Sequence, residues 1–151
     1  MSLIDDIGIM SLTPPLMLLD REALRLIAFS SDRRKLKPKE ALFRKGSASY
    51  GGALVLSGAV ALDPREDGAP ARVAGRGALI GELALIAAVD HSAQSLAQEE
   101  SEVMMISRQL FRRVLDEFPD QAGAIHAYYA TELRALNGET MAIARRLAAI
   151  S

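Results

Sequence analysis

Gly75-Arg76-Gly77-Ala78-Leu79-Ile80-Gly81-Glu82-Leu83-Ala84-Leu85 is the stretch that decides how this chain is read. It predicts a glycine-rich loop running into a short helix that starts beside Glu82. The first N–H groups of a helix have no partner within it and favour an anion bound against them. A carboxylate at Glu82 would repel that anion. The arrangement makes sense if Glu82 accepts a sugar hydroxyl while the N–H groups hold a phosphate of the same ligand. Such a phosphate also calls for a fixed cation, normally arginine, whose planar fork matches its oxygens. This chain offers His91 instead.

Local explanations compete with the ligand-facing ones. Gly75, Gly77 and Gly81 also suit turns that need positive φ, whether or not anything binds. Glu82 also suits a cap on the N–H groups of its own turn.

The 151 residues suffice for one domain with a substantial core. Half of them are hydrophobic and a quarter charged, with a net charge of −1, the composition of an ordinary globular protein. Acids and bases are intermixed, so there is no basic face for nucleic acid. The lack of cysteine excludes disulfides, thiolate chemistry and Cys-ligated metal. No apolar run is long enough to span a bilayer, and the N-terminus lacks the pattern of a signal peptide, so no membrane association and a cytoplasmic location are expected.

Pro14-Pro15 close a leader, and Asp20 is placed to cap a helix carrying Leu24, Ile27 and Ala28. Lys37-Pro38-Lys39-Glu40 reads as a turn. Short apolar runs punctuated by glycine follow, over 41–46 and 53–63, with Asp67-Gly68 as a hairpin signal. Two further strands are expected over 92–98 and 102–106. From there the chain reads as helical: Ser107 caps a helix with Leu110, Phe111, Val114 and Leu115 that ends before Pro119, and a last helix starts near Asp120. The expected class is α+β, a small antiparallel jelly-roll-like β-barrel. An N-terminal helix, a short cassette helix and two C-terminal helices accompany it. Residues 1–15 form the leader, 16–119 the β-barrel domain and 120–151 the C-terminal dimerisation and lid helix.

In this order and spacing, Phe43-Arg44-Lys45-Gly46, Leu54-Val55-Leu56-Ser57-Gly58, Gly81-Glu82-Leu83-Ala84-Leu85 and the exit segment Met104–Phe111 resemble the cyclic nucleotide-binding domains of catabolite activator and FNR-type regulators. The resemblance covers about Leu16 to Ser151. It implies that the backbone around Gly81, Leu83 and Ala84 holds a cyclic phosphate and that Glu82 binds the ribose 2′-hydroxyl. The family then places an arginine, a small or hydroxyl residue and an alanine. Here that triplet is His91-Ser92-Ala93, preceded by Asp90 where proline is common.

A neutral imidazole supplies one donor and no charge. Hydrogen bonds to a charged group are worth roughly 1.5–3 kcal/mol each, so loss of the guanidinium weakens nucleotide binding by about a hundredfold. The expectation is a non-enzymatic regulatory domain in signal transduction, with no obligatory cofactor and with cAMP or cGMP bound weakly or not at all. Two readings of His91 stand side by side: a surface loop residue in a domain that has lost its nucleotide, or part of a site retuned for another small ligand or for weak, pH-sensitive binding. If the pocket has decayed, what remains is a dimerising protein-interaction module with a possible signalling partner.

Tyr129, Leu133, Leu136, Thr140, Ile143, Leu147 and Ile150 alternate in steps of four and three, an a/d seam that predicts a homodimer through the last helix. Asn137-Gly138 could end that helix, although a mid-helix glycine costs only about 1 kcal/mol. No helix-turn-helix with basic recognition residues is evident, so direct nucleic-acid binding is not expected. The basic cluster at 33–39 reads as a solvated face. Two histidines, on different elements, are too few for the metal site of a cupin-type enzyme, so no catalytic residue and no metal site are assigned.

Overall fold

The computed structural model describes residues 3–63 and 72–150, with side chains described through residue 135. Helix α1 (Leu3–Met10) and a single 3-10 turn (Leu16–Leu18) precede α2 (Arg21–Ser30). Among the described residues eight strands follow: β1 (Asp32–Leu36), β2 (Ala41–Phe43), β3 (Gly51–Ser57), β4 (Ala59–Leu62), β5 (Arg72–Gly75), β6 (Leu79–Ile80), β7 (Ser95–Ala97) and β8 (Ser101–Ser107). A 3-10 turn, Glu82–Leu85, lies between β6 and β7, and α3 (Arg108–Glu117) and α4 (Pro119–Ile150) end the chain.

The strands form two four-stranded antiparallel sheets, ordered β1-β8-β3-β6 and β2-β7-β4-β5. The expected barrel is thus a jelly-roll-like pair of sheets. Alternation along the strands explains the two cores. On β3, Ala53 and Val55 join Leu36, Leu42, Val60, Leu62 and Val103 between the sheets. Leu54 and Leu56 point the other way and pack with Met104, Ile106 and the helices. A strand covered on both faces needs no polar positions, so β3 reads as a continuous small-to-apolar run.

The expected caps are present: Asp20 accepts from the Ala23 N–H at 2.9 Å and Ser107 from the Leu110 N–H at 3.1 Å. Helix α4 runs through Asn137-Gly138 without a break. Of the dimer seam, Tyr129 is buried and Leu133 exposed. The side chains of Leu136, Thr140, Ile143, Leu147 and Ile150 lie outside the described residues, as does Asp67-Gly68.

Two segments correct the sequence reading. The leader contains α1, whose Ile7, Ile9 and Met10 are buried in the helix-side core. The basic cluster is solvated as expected, with Arg33, Lys35, Lys37 and Lys39 exposed, but its first residues lie within an edge strand, Asp32–Leu36, paired with β8. Arg33 forms an ion pair with the buried Asp6 of α1, and Arg34 bonds Glu40 at 2.9 Å.

Candidate functional site

Gly81 sets the direction of the cassette. It adopts left-handed geometry (φ 77°, ψ 38°) and leads the chain from β6 into the turn at Glu82. Gly77 also has positive φ, at 88°, whereas Gly75 does not, so the conformational reading of the three glycines holds for two of them. The turn closes through Ala84 N–H to the Gly81 carbonyl (3.0 Å) and Ala87 N–H to the Leu83 carbonyl (3.0 Å). Leu83 is half-buried and Ala84 buried.

Arg108, the first residue of α3, fastens the far end of the turn. Its guanidinium donates to the carbonyls of Ala84 (3.0 Å) and Ala87 (2.8 Å), and to the Ser49 carbonyl (2.9 Å) and hydroxyl (3.2 Å). One side chain thereby joins the cassette, the β2–β3 loop and α3. Sequence reasoning assigned Arg108 only to the exit segment, because nothing in its sequence neighbours marks which carbonyls it will meet.

His91 overturns the expectation of a surface loop residue: it is only 8% exposed. Its ring stacks on Phe43 with centroids 3.8 Å apart and planes 14° apart. On the cassette side, a Cβ added to Gly81 would lie 3.6 Å from the His91 Cε1, so the imidazole fills the space between Phe43 and Gly81. The backbone is pinned as well, with His91 N–H donating to the Ser47 carbonyl (2.9 Å) and the His91 carbonyl accepting from Gly46 N–H (2.8 Å). Burial holds the imidazole below the ordinary histidine range, with Asp90 opposing that shift. Burial thus favours the neutral form of the ring.

Ser92 is exposed and Ala93 half-buried. A cavity of about 380 Å³ opens beside His91, lined by Phe43, Arg44, Tyr50, Gly51, Gly52 and Met105 among others. Of the seven expected site residues only His91 contributes to it. The sequence-based site thus brings His91 against Gly81, and the cavity wall also includes Gly51 and Gly52, which lie against Gly81 as well.

Glu82 faces α4. Gly81, at the cap position, has no side chain to cap the turn, and the Glu82 Oε1 atom is buried without a hydrogen-bond partner among the described residues. Burial raises the Glu82 pKa above the ordinary carboxylate range, a hydrogen bond from Tyr128 opposes this, and the nearby Glu132 adds to it. Burial and the Glu82 carboxylate together push the Tyr128 hydroxyl well above the ordinary tyrosine range. Tyr129, counted in the sequence only as the start of a heptad seam, donates its hydroxyl to the Glu82 carbonyl at 2.9 Å.

Among the described residues no group of three or more His, Cys, Asp or Glu is placed to hold a metal ion, and no helix is long and apolar enough to cross a membrane.

The fold recurs in solved structures. A cyclic nucleotide-binding-like protein from Brucella abortus is 35% identical, aligned over 74% of this chain and 98% of that one, with a TM-score of 0.67. The N-terminal domain of a transcriptional regulator from Streptomyces coelicolor is 25% identical over 87% of this chain and 94% of its own, with a TM-score of 0.76. The catabolite activator protein of Thermus thermophilus is 26% identical over 83% of this chain and 61% of its own, with a TM-score of 0.66. No curated protein matches the sequence. The family model described as the cyclic nucleotide-binding domain matches residues 33–118, which takes in both sheets, the cassette turn and α3. With that match over more than half of its length, the chain belongs to the cyclic nucleotide-binding domain family.

Proposed function

We propose that this chain is a non-enzymatic regulatory domain whose altered phosphate cassette binds cAMP or cGMP weakly. In this reading Gly81, Leu83 and Ala84 offer backbone to the cyclic phosphate, Glu82 accepts the ribose 2′-hydroxyl, and His91, Ser92 and Ala93 complete the phosphate side. The observation that carries it is the packing of His91. An imidazole packed between Phe43 and Gly81, where burial favours its neutral form, stands beside the cassette in place of the guanidinium that a phosphate favours. Thermal shift against a panel of cyclic and linear nucleotides tests it, run on the parent protein and on His91→Arg. Large stabilisation of the parent by cAMP or cGMP would refute weak binding.

The cavity beside His91 favours a second reading, a sensor for a different small ligand that does not use the cassette. Stabilisation by a compound outside the cyclic nucleotides, abolished by narrowing the cavity through Ala48→Leu at its exposed wall but kept in Glu82→Gln, would support that reading over the first.

The amphipathic spacing along α4 supports homodimerisation through that helix as part of the proposal. A monomeric mass by light scattering at tens of micromolar would count against it.

A further inference from the structure

The edge strands β1 and β2 of the two sheets run along one seam. At one end of it Arg34 of β1 closes the gap, bonding the Ala41 carbonyl of β2 at 3.2 Å and Glu40 at 2.9 Å. At the other end the cavity of about 380 Å³ opens. Asp32, the first residue of β1, lines it from one sheet, and Arg44, which follows β2, lines it from the other. Both residues are exposed, and among the described residues neither has an ion-pair partner. Leu42, Phe43 and Met105 supply apolar surface within, and the Phe43–His91 stack makes a flat wall. Tyr50, 81% exposed, adds an aromatic ring at the rim, and its carbonyl is held by the Arg108 N–H at 2.7 Å.

A cavity of this volume falls within the range of small-molecule sites, about 300–1,000 Å³, at its lower end. Its charges decide the class of ligand. A guanidinium beside an apolar cavity matches a carboxylate through its planar fork. A simple anion would be repelled by Asp32, and a simple cation by Arg44. A molecule that carries both charges next to an apolar body meets both.

We propose that this cavity binds a free apolar α-amino acid. Arg44 takes the carboxylate, Asp32 takes the ammonium, and the side chain lies against Leu42, Phe43 and Met105. This deepens the reading of the chain as a sensor for a ligand outside the cyclic nucleotides, and it rests on that reading. Both charged groups are in contact with water, so they select among ligands more than they add affinity.

The test is an NMR titration of the isotope-labelled chain with L-leucine, L-methionine and L-phenylalanine. It includes 3-phenylpropionate and 2-phenylethylamine, each of which lacks one of phenylalanine's two charges. The amino acids shift the amide signals of Gly51 and Gly52, and phenylalanine binds roughly two- to fivefold more tightly than either analogue. Arg44→Gln weakens phenylalanine and 3-phenylpropionate by a similar factor and spares 2-phenylethylamine. Asp32→Asn weakens phenylalanine and 2-phenylethylamine and spares 3-phenylpropionate. Glu82→Gln changes none of these affinities. Equal binding of phenylalanine and its two analogues, or binding indifferent to both rim substitutions, overturns the inference while leaving the cavity a ligand site. Binding of none of the five compounds overturns it as well. The underlying reading fails separately, if no compound of a broad panel gives binding that Ala48→Leu abolishes.

Discussion

Replacing Arg108 by methionine keeps the length of the stem and removes every donor that ties the cassette turn to the rest of the fold. Four hydrogen bonds are lost: to the carbonyls of Ala84, Ala87 and Ser49, and to the Ser49 hydroxyl. Bonds from a charged donor are worth about 1.5–3 kcal/mol each. They do not add here, because one side chain makes all four, it is only half-buried, and water reaches some of the freed carbonyls. The expected loss is about 3 kcal/mol, which for a chain of this size lowers the melting temperature by roughly 6–12 °C. Urea denaturation should show the midpoint falling with an unchanged slope. Arg108→Lys, with a point charge in place of the fork, should recover only part of the loss. A loss below about 1 kcal/mol for Arg108→Met, or full stability for Arg108→Lys, would refute the role given to this network.

Gly51→Ala should be among the most damaging small substitutions, because the added Cβ would lie 1.9 Å from the Ile106 carbonyl oxygen on β8. A loss of more than about 3 kcal/mol, or failure to recover folded protein, is expected, whereas circular dichroism melting like that of the parent would contradict the β3–β8 packing. His91 should make stability depend on pH. Its folded pKa is depressed, so as pH falls through about 6.5 the unfolded chain takes up the proton first, and stability present above that value is lost towards the folded pKa. Glu82 acts with the opposite sign, since its raised pKa makes the folded state protonate first as pH falls. Urea midpoints of the parent and His91→Phe between about pH 5 and pH 8 should therefore differ by an amount that varies with pH through the His91 window. A constant difference would contradict a buried neutral imidazole.

Features governed by neighbours in the chain were legible in the sequence. Asp20 and Ser107 sit at their caps, and Gly81-Glu82 opens its turn where the spacing placed it. The charged β1 was not legible, because an edge strand has one side free of pairing partners and tolerates Arg33, Arg34 and Lys35 without any apolar alternation. Helix α1 escaped for a related reason: its Ile7, Ile9 and Met10 acquire meaning only against α2, and its Asp6 only against Arg33. Within the site, the sequence marked which residues matter but not what they touch. His91 stood out as a missing arginine, yet its stack on Phe43 joins positions 48 residues apart, and no local pattern encodes that contact. The bond from Tyr129 to the Glu82 carbonyl is invisible for the same reason, because two sheet strands and a helix separate the two residues in the chain.

The central claim is that the cassette survives and that its fixed cation is what has been lost. Isothermal titration of cAMP into the parent protein and into His91→Arg at neutral pH tests it most directly. The parent should bind more weakly than low-micromolar, and His91→Arg should bind about a hundredfold more tightly, the worth of the restored charge-assisted bonds. Low-micromolar or tighter binding by the parent, or no gain from the arginine, would contradict the claim.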